Sequence, residues 1–266
     1  MALPGASTVV FAAPSHAARE LLTAMSPALD EAAIIVSVSK GIEIESGKRI
    51  SEIAKEVLES SHPFVCLSGP SFAKEVVAGH PTAIVAASKD AAAARTVQND
   101  FSFDNLRIYT NTDVIGTEIG GSVKNVMAIA AGMTNGLGFG ANSVAALITR
   151  GLAEITRLAR REGAQIETLM GLAGLGDLVL TCTGNLSRNR FVGEELGKGK
   201  TLAEITAELH EVAEGINTAR AVKKLADRAG LEMPITNEVN AVLYDGKPAR
   251  DAVAELMSRP LREEIN

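Results

Sequence analysis

The sequence is poor in cysteine and lacks long apolar runs. Only two thiols, Cys66 and Cys182, occur among 266 residues. Two distant cysteines argue against a disulfide framework and suit a reducing compartment. No apolar stretch reaches the roughly 20 residues that a membrane span needs, and no charged segment followed by an apolar one opens the chain as in a signal peptide. We therefore expect a cytoplasmic protein without a membrane span.

An excess of positive charge is also lacking, since the formal net charge is -6. This balance argues against a nucleic-acid surface, so an anionic ligand must be attracted by a local basic cluster. The four histidines have no metal-like spacing and form no hydrolytic triad that the sequence supports, which predicts neither a metal site nor a serine hydrolase. A hydrophobic content of 46% with 22% charged residues predicts a globular protein with a sizeable core and two domains.

The first part of the chain predicts an α/β fold. Five short apolar runs alternate with amphipathic or alanine-rich stretches, a rhythm typical of a largely parallel sheet. The runs are STVVFAAP, AIIVSVS, PFVCLSG, TAIVAAS and NLRIYTN. After Asp113 helical spacing takes over, and we place a boundary there, with residues 1–112 in one domain and residues 113–266 in an all-helical one. Small and polar residues follow the first three runs, where open α/β sheets bind ligands.

A glycine pattern at residues 136–141, GLGFGA, matches the dinucleotide fingerprint G-x-G-x-x-G/A. The fingerprint requires a strand before its first glycine, whereas residues 124–133 have helical spacing. We interpret residues 136–141 as a loop between two helices. No other segment supplies the phosphate-binding turn of a dinucleotide fold.

Two lysines follow small residues in positions that suit a ligand. Lys124 lies in an apolar helical stretch just after Gly120 and Gly121, and Lys40 follows a predicted strand. A buried lysine can have a lowered pKa and exchange protons, but a lone lysine can equally extend its ammonium group to solvent. The sequence leaves both readings open for both residues.

The segment at residues 171–190, GLAGLGDLVLTCTGNLSRNR, combines an acid, two arginines and several hydroxyls in a glycine-rich run. Asp177 alone could cap a helix, and Arg188 with Arg190 could form a solvated face. Their concentration within twenty residues favours a site for a small anion, in which a carboxylate handles protons and a guanidinium group binds phosphate.

Several motifs together make the chain resemble the bacterial-type NAD(P)-dependent glycerol-3-phosphate dehydrogenases. They are SKGIE at 39–43, LSGPSFAKEV at 67–76, the long run at 109–132, ALITRGLAE at 146–154, the segment at 171–190 and EMPIT at 232–236. The resemblance implies reduction of dihydroxyacetone phosphate to sn-glycerol 3-phosphate for glycerophospholipid synthesis, with NADP or NAD as cofactor and NADPH favoured. It also implies a homodimer, a Rossmann-like doubly wound sheet in residues 1–112 and a helical substrate domain in residues 113–266.

The same resemblance implies roles for individual residues. Lys124 transfers the proton and Asp177 orients it, which makes these two the catalytic residues. The implied substrate-binding residues are Lys40, Gly69, Ser71, Lys124, Asp177, Thr181, Ser187, Arg188 and Asn189. The implied cofactor-binding residues are Lys40, Ala73, Arg188, Val212 and Glu214.

The chain departs from the family at its start, where the family has a strand, a glycine-rich turn and a helix. We therefore expect the amino-terminal dinucleotide-binding βαβ unit to be missing and the sheet to be truncated. This departure leaves a second reading, a non-catalytic chain that binds substrate or dimerises. A third reading is another dehydrogenase of the hydroxy-acid group, such as a phosphogluconate type.

Overall fold

Five strands form one sheet in the computed structural model, which describes residues 3–31, 33–58, 62–209, 213–261 and 263–264. The strands are β1 (Thr8–Phe11), β2 (Ile34–Ser37), β3 (Phe64–Ser68), β4 (Thr82–Ala87) and β5 (Leu106–Asn111). They lie in chain order, and all neighbours are parallel except β3 and β4. The antiparallel pair follows from its connection, because the only helix between these strands, α3 (Ala73–Val77), is too short for a parallel crossover. The predicted α/β fold with a largely parallel sheet is confirmed.

Helices cover both faces of the sheet, as in a doubly wound fold. Besides the short α3, three helices belong to this part of the chain: α1 (Ala18–Met25), which has a 3-10 turn at each end, α2 (Ile50–Val57) and α4 (Ala91–Phe101). α1 and α2 bury Val9 and Ile35 on one face, and α4 packs against Val36 and Ile108 on the other. On the face opposite α1, Val10 of the edge strand β1 is 47% exposed.

The described residues after β5 contain helices only. They are α5 (Val114–Gly136), α6 (Ala141–Arg161), α7 (Ile166–Met170), α8 (Asp177–Thr183), α9 (Arg188–Gly197), α10 (Leu202–Glu208), α11 (Glu214–Ala229), α12 (Pro234–Tyr244) and α13 (Ala249–Ser258). A π-helical turn, Leu172–Gly176, leads directly into α8. Within the described part of the chain, no helix combines the length and the apolar character that crossing a bilayer requires.

The long helix α5 is the centre of the helical half. Every residue from Gly116 to Thr134 is buried, and α6, α8, α9 and α11 pack around it. Small residues make this close packing possible: a side chain at Gly120 would meet the backbone carbonyl of Ala173 in the π-helical turn. Asp113 caps the start of α5 by accepting from Gly116 N, and its other oxygen accepts from Gln165 N. α5 is therefore fixed at its start and surrounded along its length.

The glycine pattern at residues 136–141 lies between two helices, as we predicted. α5 ends at Gly136, Gly138 takes a φ of +78°, and Gly140 precedes the first residue of α6. No strand precedes this loop, because the residues before it belong to α5. The pattern is thus a helix–helix connection and not a dinucleotide fingerprint.

Candidate active site

One buried carboxylate lies between two lysine ammonium groups at the junction of the sheet and the helices. Oδ1 of Asp177 accepts from Lys124 Nζ, and Oδ2 lies 2.8 Å from Lys40 Nζ. Asp177 is 1% exposed and Lys124 6%, whereas the Lys40 side chain is 24% exposed. The ion cluster therefore opens towards solvent on the side of Lys40.

Local structure places these groups. Lys124 projects from the middle of α5, and Asp177 is the first residue of α8, immediately after the π-helical turn. Thr181 lies one turn further along α8, where its hydroxyl donates to the Asp177 carbonyl and lies 2.9 Å from Lys124 Nζ. Because this hydroxyl hydrogen is engaged, the oxygen is left to accept from the lysine. Lys124 is thus held by two residues of α8.

Burial sets the protonation of Lys124. Removal from water and, to a smaller extent, the nearby charge of Lys40 lower its pKa, and the carboxylate of Asp177 opposes both effects; together they bring the pKa from 10.5 to about 7. Burial also raises the pKa of Asp177, but the charges of Lys40 and Lys124 outweigh it and leave the pKa below its ordinary value. Asp177 therefore stays ionised while Lys124 changes its protonation near neutral pH. A group with this pKa can serve as both acid and base in the cell.

Lys40 connects the ion cluster to the ends of the strands. It follows β2, and its ammonium group lies 3.4 Å from the carbonyl oxygen of Gly69, just after β3. The hydroxyl of Ser71 donates to the same carbonyl at 3.1 Å. The structure therefore brings together Lys40, Gly69 and Ser71, three of the residues that the sequence predicted for substrate.

The start of α9 approaches the same region from the other side. Ser187 caps this helix by accepting from Arg190 N, and Arg188 is exposed in the first turn. The side-chain oxygen of Asn189 accepts from Gly215 N at 2.9 Å. A side chain at Gly215 would lie 2.8 Å from the carbonyl oxygen of Asn125, the residue after Lys124. The segment thus packs one residue away from the buried lysine.

Besides Lys40 and Arg188, three residues were predicted to contact the cofactor. Glu214 opens α11 and accepts from the hydroxyl of Ser15, after β1, at 2.7 Å. Ala73 opens α3 and is exposed, two residues after Ser71. Val212 lies outside the described residues.

Sequence reasoning assigned no individual role to three serines near the contact between the two halves. Ser15 contacts Glu214, Ser122 accepts from the amide of Gly41, and the buried hydroxyl of Ser68 has no hydrogen-bond partner. Each lies in or beside a segment that the sequence singled out. The partners of Ser15 and Ser122 are far away in the chain. Ser15 and Ser68 gave a signal because they lie at the ends of predicted strands, whereas Ser122 on α5 gave none.

The described residues around the ion cluster include no set of metal ligands. Among the residues that the structure describes, no group of three or more histidine, cysteine, aspartate or glutamate side chains is arranged to hold a metal ion.

Two family sequence models match the chain. The model for the amino-terminal part of NAD-dependent glycerol-3-phosphate dehydrogenase matches residues 1–94, and the model for its carboxyl-terminal part matches residues 113–254. The first match covers residues 1–94 and provides no evidence for the expected loss of an amino-terminal unit. Together the two models cover most of the chain.

Curated relatives and a solved structure agree with this match. Glycerol-3-phosphate dehydrogenase (NAD(P)+) of Koribacter versatilis is 55% identical over 99% of this chain and 79% of its own length. The enzyme of the same name from Citrifermentans bemidjiense is 53% identical over 98% of this chain and 78% of its own length. The crystal structure of glycerol-3-phosphate dehydrogenase from Coxiella burnetii superposes with a TM-score of 0.93 at 40% identity, over 96% of this chain and 78% of that one. The chain belongs to the NAD-dependent glycerol-3-phosphate dehydrogenase family.

Proposed function

We propose that this chain interconverts dihydroxyacetone phosphate and sn-glycerol 3-phosphate with NAD(P)H. The observation that supports this most directly is the buried Lys124. Its ammonium group donates to the carboxylate of Asp177, and its pKa is about 7. Reduction of a ketone needs a proton donor next to the oxygen on which charge develops, and oxidation of the alcohol needs a base at the same place. A lysine with this pKa fulfils both needs near neutral pH.

In this reaction Lys124 holds the proton that moves. Its ammonium group donates to the carbonyl oxygen of dihydroxyacetone phosphate, and its neutral amine takes the hydroxyl proton of glycerol 3-phosphate in reverse. Asp177 and Thr181 fix the nitrogen in one place by their hydrogen bonds. Because Asp177 stays ionised, it also stabilises the ammonium form without competing for the proton.

The phosphate group of the substrate fits the positive side of the site. When Asp177 is ionised and both lysines are protonated, the ion cluster of Asp177, Lys124 and Lys40 carries one net positive charge. Arg188 and Asn189 are the first two residues of α9, which Ser187 caps. The amino-terminal end of a helix favours anions. We assign substrate binding to these residues together with Gly69, Ser71, Lys124, Asp177 and Thr181.

The residues at the strand ends fit the nicotinamide part of NAD or NADP. The buried hydroxyl of Ser68 has no hydrogen-bond partner among the described residues. Ser68 directly precedes Gly69, whose carbonyl oxygen accepts from Lys40 Nζ. We assign cofactor contacts to Lys40, Ala73, Arg188, Val212 and Glu214, and the bound nicotinamide supplies or accepts the hydride. The resemblance favours NADPH.

We also propose that residues 1–112 belong to the cofactor-binding domain and residues 113–266 to the substrate domain. All described strands precede Asp113, and the two family models match on either side of it. Residues 8–25, which contain β1, the following turn and α1, include no glycine, so they are not the phosphate-binding turn of a dinucleotide fold. Coding sequence upstream of Met1 with a strand, glycine-rich turn and helix would establish a dinucleotide-binding βαβ unit before β1.

A cytoplasmic location, a homodimer and a role in glycerophospholipid synthesis complete the proposal. Light scattering of the purified chain tests the dimer directly. A mass of one chain at micromolar concentration would refute it.

The decisive experiment measures NADPH oxidation with dihydroxyacetone phosphate. We expect turnover in the native chain and a decrease of about 10²- to 10⁴-fold in Lys124→Met, the usual contribution of a positioned acid or base. Lys223→Met is the matched control, because it removes a solvent-accessible lysine that pairs with Asp227 on the same helix, α11. Near-normal turnover in Lys124→Met would remove Lys124 from its role.

A non-catalytic, substrate-binding chain is the second candidate, favoured by the lack of glycine between β1 and α1. It predicts that dihydroxyacetone phosphate binds in calorimetry while NADPH is not oxidised. Oxidation of NADPH by the purified chain would exclude this candidate.

A further inference from the structure

The turn that carries Lys40 is fastened to helix α5 by one buried hydrogen bond. The amide of Gly41 donates to the hydroxyl of Ser122 at 2.9 Å, and both residues are buried. They are 81 residues apart in the chain, one after β2 and the other two residues before Lys124. This bond therefore links the backbone beside one lysine of the ion cluster to the helix that carries the other.

The turn is closely surrounded at Gly41. Gly41 has a φ of +151°, which residues with a side chain rarely adopt, and a side chain there would overlap Ser15. The same position is 3.1 Å from Oε2 of Glu214, which in turn accepts from Ser15. Gly41 is thus enclosed by Ser15 and Glu214 on one side, and Ser122 holds its amide on the other.

The position of this turn decides where Lys40 can reach. A lysine side chain is a flexible four-carbon stem, so its ammonium group depends on the location of the backbone below it. The stem of Lys40 also runs along α5, because a side chain at Gly121 would lie 3.8 Å from its Cδ. With the turn in place, Lys40 Nζ lies 2.8 Å from Asp177 Oδ2.

We propose that Ser122 is a positioning residue for the reaction: by accepting the Gly41 amide, its hydroxyl sets the distance between Lys40 and Asp177. The inference rests on the proposed roles of Lys40 and Lys124. The charged groups that face Lys124 are Asp177 from α8 and Lys40 from the turn after β2, with the neutral, buried Cys182 nearby. Ser122 acts on Lys124 only through Lys40.

Removal of the acceptor while keeping its volume is the direct test. Ser122→Cys replaces the hydroxyl with a weak acceptor of similar size, and Ser122→Ala deletes it. Each leaves the buried Gly41 amide without a good partner, and we expect kcat/KM for dihydroxyacetone phosphate to fall about tenfold. We also expect the pH midpoint of kcat/KM to rise, because the charge of Lys40, which lowers the pKa of Lys124, is then held less closely.

Thr134→Val is the matched control. It removes a buried hydroxyl from the same helix, one whose hydrogen bond to Ala130 stays within α5. We expect it to leave the pH midpoint unchanged. A Ser122→Cys variant with a lowered melting temperature but a native pH midpoint would show that Ser122 is merely structural and would overturn the inference.

A double-mutant cycle with Lys40→Met separates the possible failures. If Ser122 acts through Lys40, Ser122→Cys has no further effect on kcat/KM in the Lys40→Met background. Additive effects would overturn the inference and leave the proposed role of Lys40 intact. Full activity of Lys40→Met alone would overturn the role of Lys40 in the proposed function and the inference with it.

Discussion

The two neighbours of Lys124 should move its pKa in opposite directions. Asp177→Asn removes the carboxylate that stabilises the ammonium form, so the pKa of Lys124 falls below its value of about 7. Lys40→Met removes a positive charge that destabilises the ammonium form, so the pKa rises. An opposite charge in direct contact shifts a pKa by roughly 1–3 units, and we expect the Asp177→Asn shift within this range.

The pH dependence of ketone reduction makes these shifts visible. Reduction requires the ammonium form, so kcat/KM falls about tenfold for each pH unit above the pKa of the free enzyme. Oxidation of glycerol 3-phosphate requires the neutral amine, and its kcat/KM rises up to the same pH. We therefore expect both profiles to bend near pH 7 in the native chain, at lower pH in Asp177→Asn and at higher pH in Lys40→Met.

The assay has an internal reference. The phosphate group of the substrate titrates near pH 6, and that limb of the profile belongs to the substrate and stays fixed in every variant. The limb assigned to Lys124 should move, and in Lys124→Met it should disappear from the residual activity. A limb that stays near pH 7 in Asp177→Asn, or that moves upward, would refute the electrostatic account of Lys124.

Three further predictions follow from buried groups. First, Lys124 has a folded pKa of about 7 against 10.5 when unfolded, so between these values only the unfolded chain holds the proton. The free energy of unfolding should then increase with pH, relative to Lys124→Met, by up to about 1.4 kcal/mol per unit over that window in paired denaturant titrations, and a flat difference would contradict this. Second, Glu154 accepts from the amides of Ile235 and Thr236 at the start of α12. Glu154→Gln should lower the free energy of unfolding by about 1–3 kcal/mol with native kcat, and an unchanged urea midpoint would count against this cap. Third, burial raises the pKa of both thiols, that of Cys182 to about 12, so a thiol reagent at pH 8 should label them only in urea. Rapid labelling of the native chain would disprove their burial.

Local sequence signals account for the elements and their ends. Helix α11 spans Glu214–Ala229, because an acid opens its first turn and Gly230 ends it with a φ of +65°. Helix α9 begins at Arg188, because the side chain of Ser187 caps it by accepting from Arg190 N. In both cases the relevant chemistry lies within four residues of the boundary.

Pairing between distant segments could not be predicted in the same way. The alternation of apolar runs and amphipathic stretches predicted a largely parallel sheet. The antiparallel direction of β4 depends on the length of the connection after β3, and its short helix α3 gave no signal in the sequence. The ion cluster joins Lys124 and Asp177 across 53 residues, and only the resemblance to a family placed them together. The bond between Ser122 and Gly41 had no motif of its own, because a hydroxyl on a buried helix is compatible with many partners.

The complete burial of α5 has a consequence for hydrogen exchange. Amides of a helix that is enclosed on all sides exchange only through the largest openings of the structure, whereas exposed outer helices such as α10 exchange through local fraying. Lys124 thus lies in the segment expected to exchange last. The proton-transfer group should keep its surroundings through every partial unfolding event that leaves α5 and α8 together.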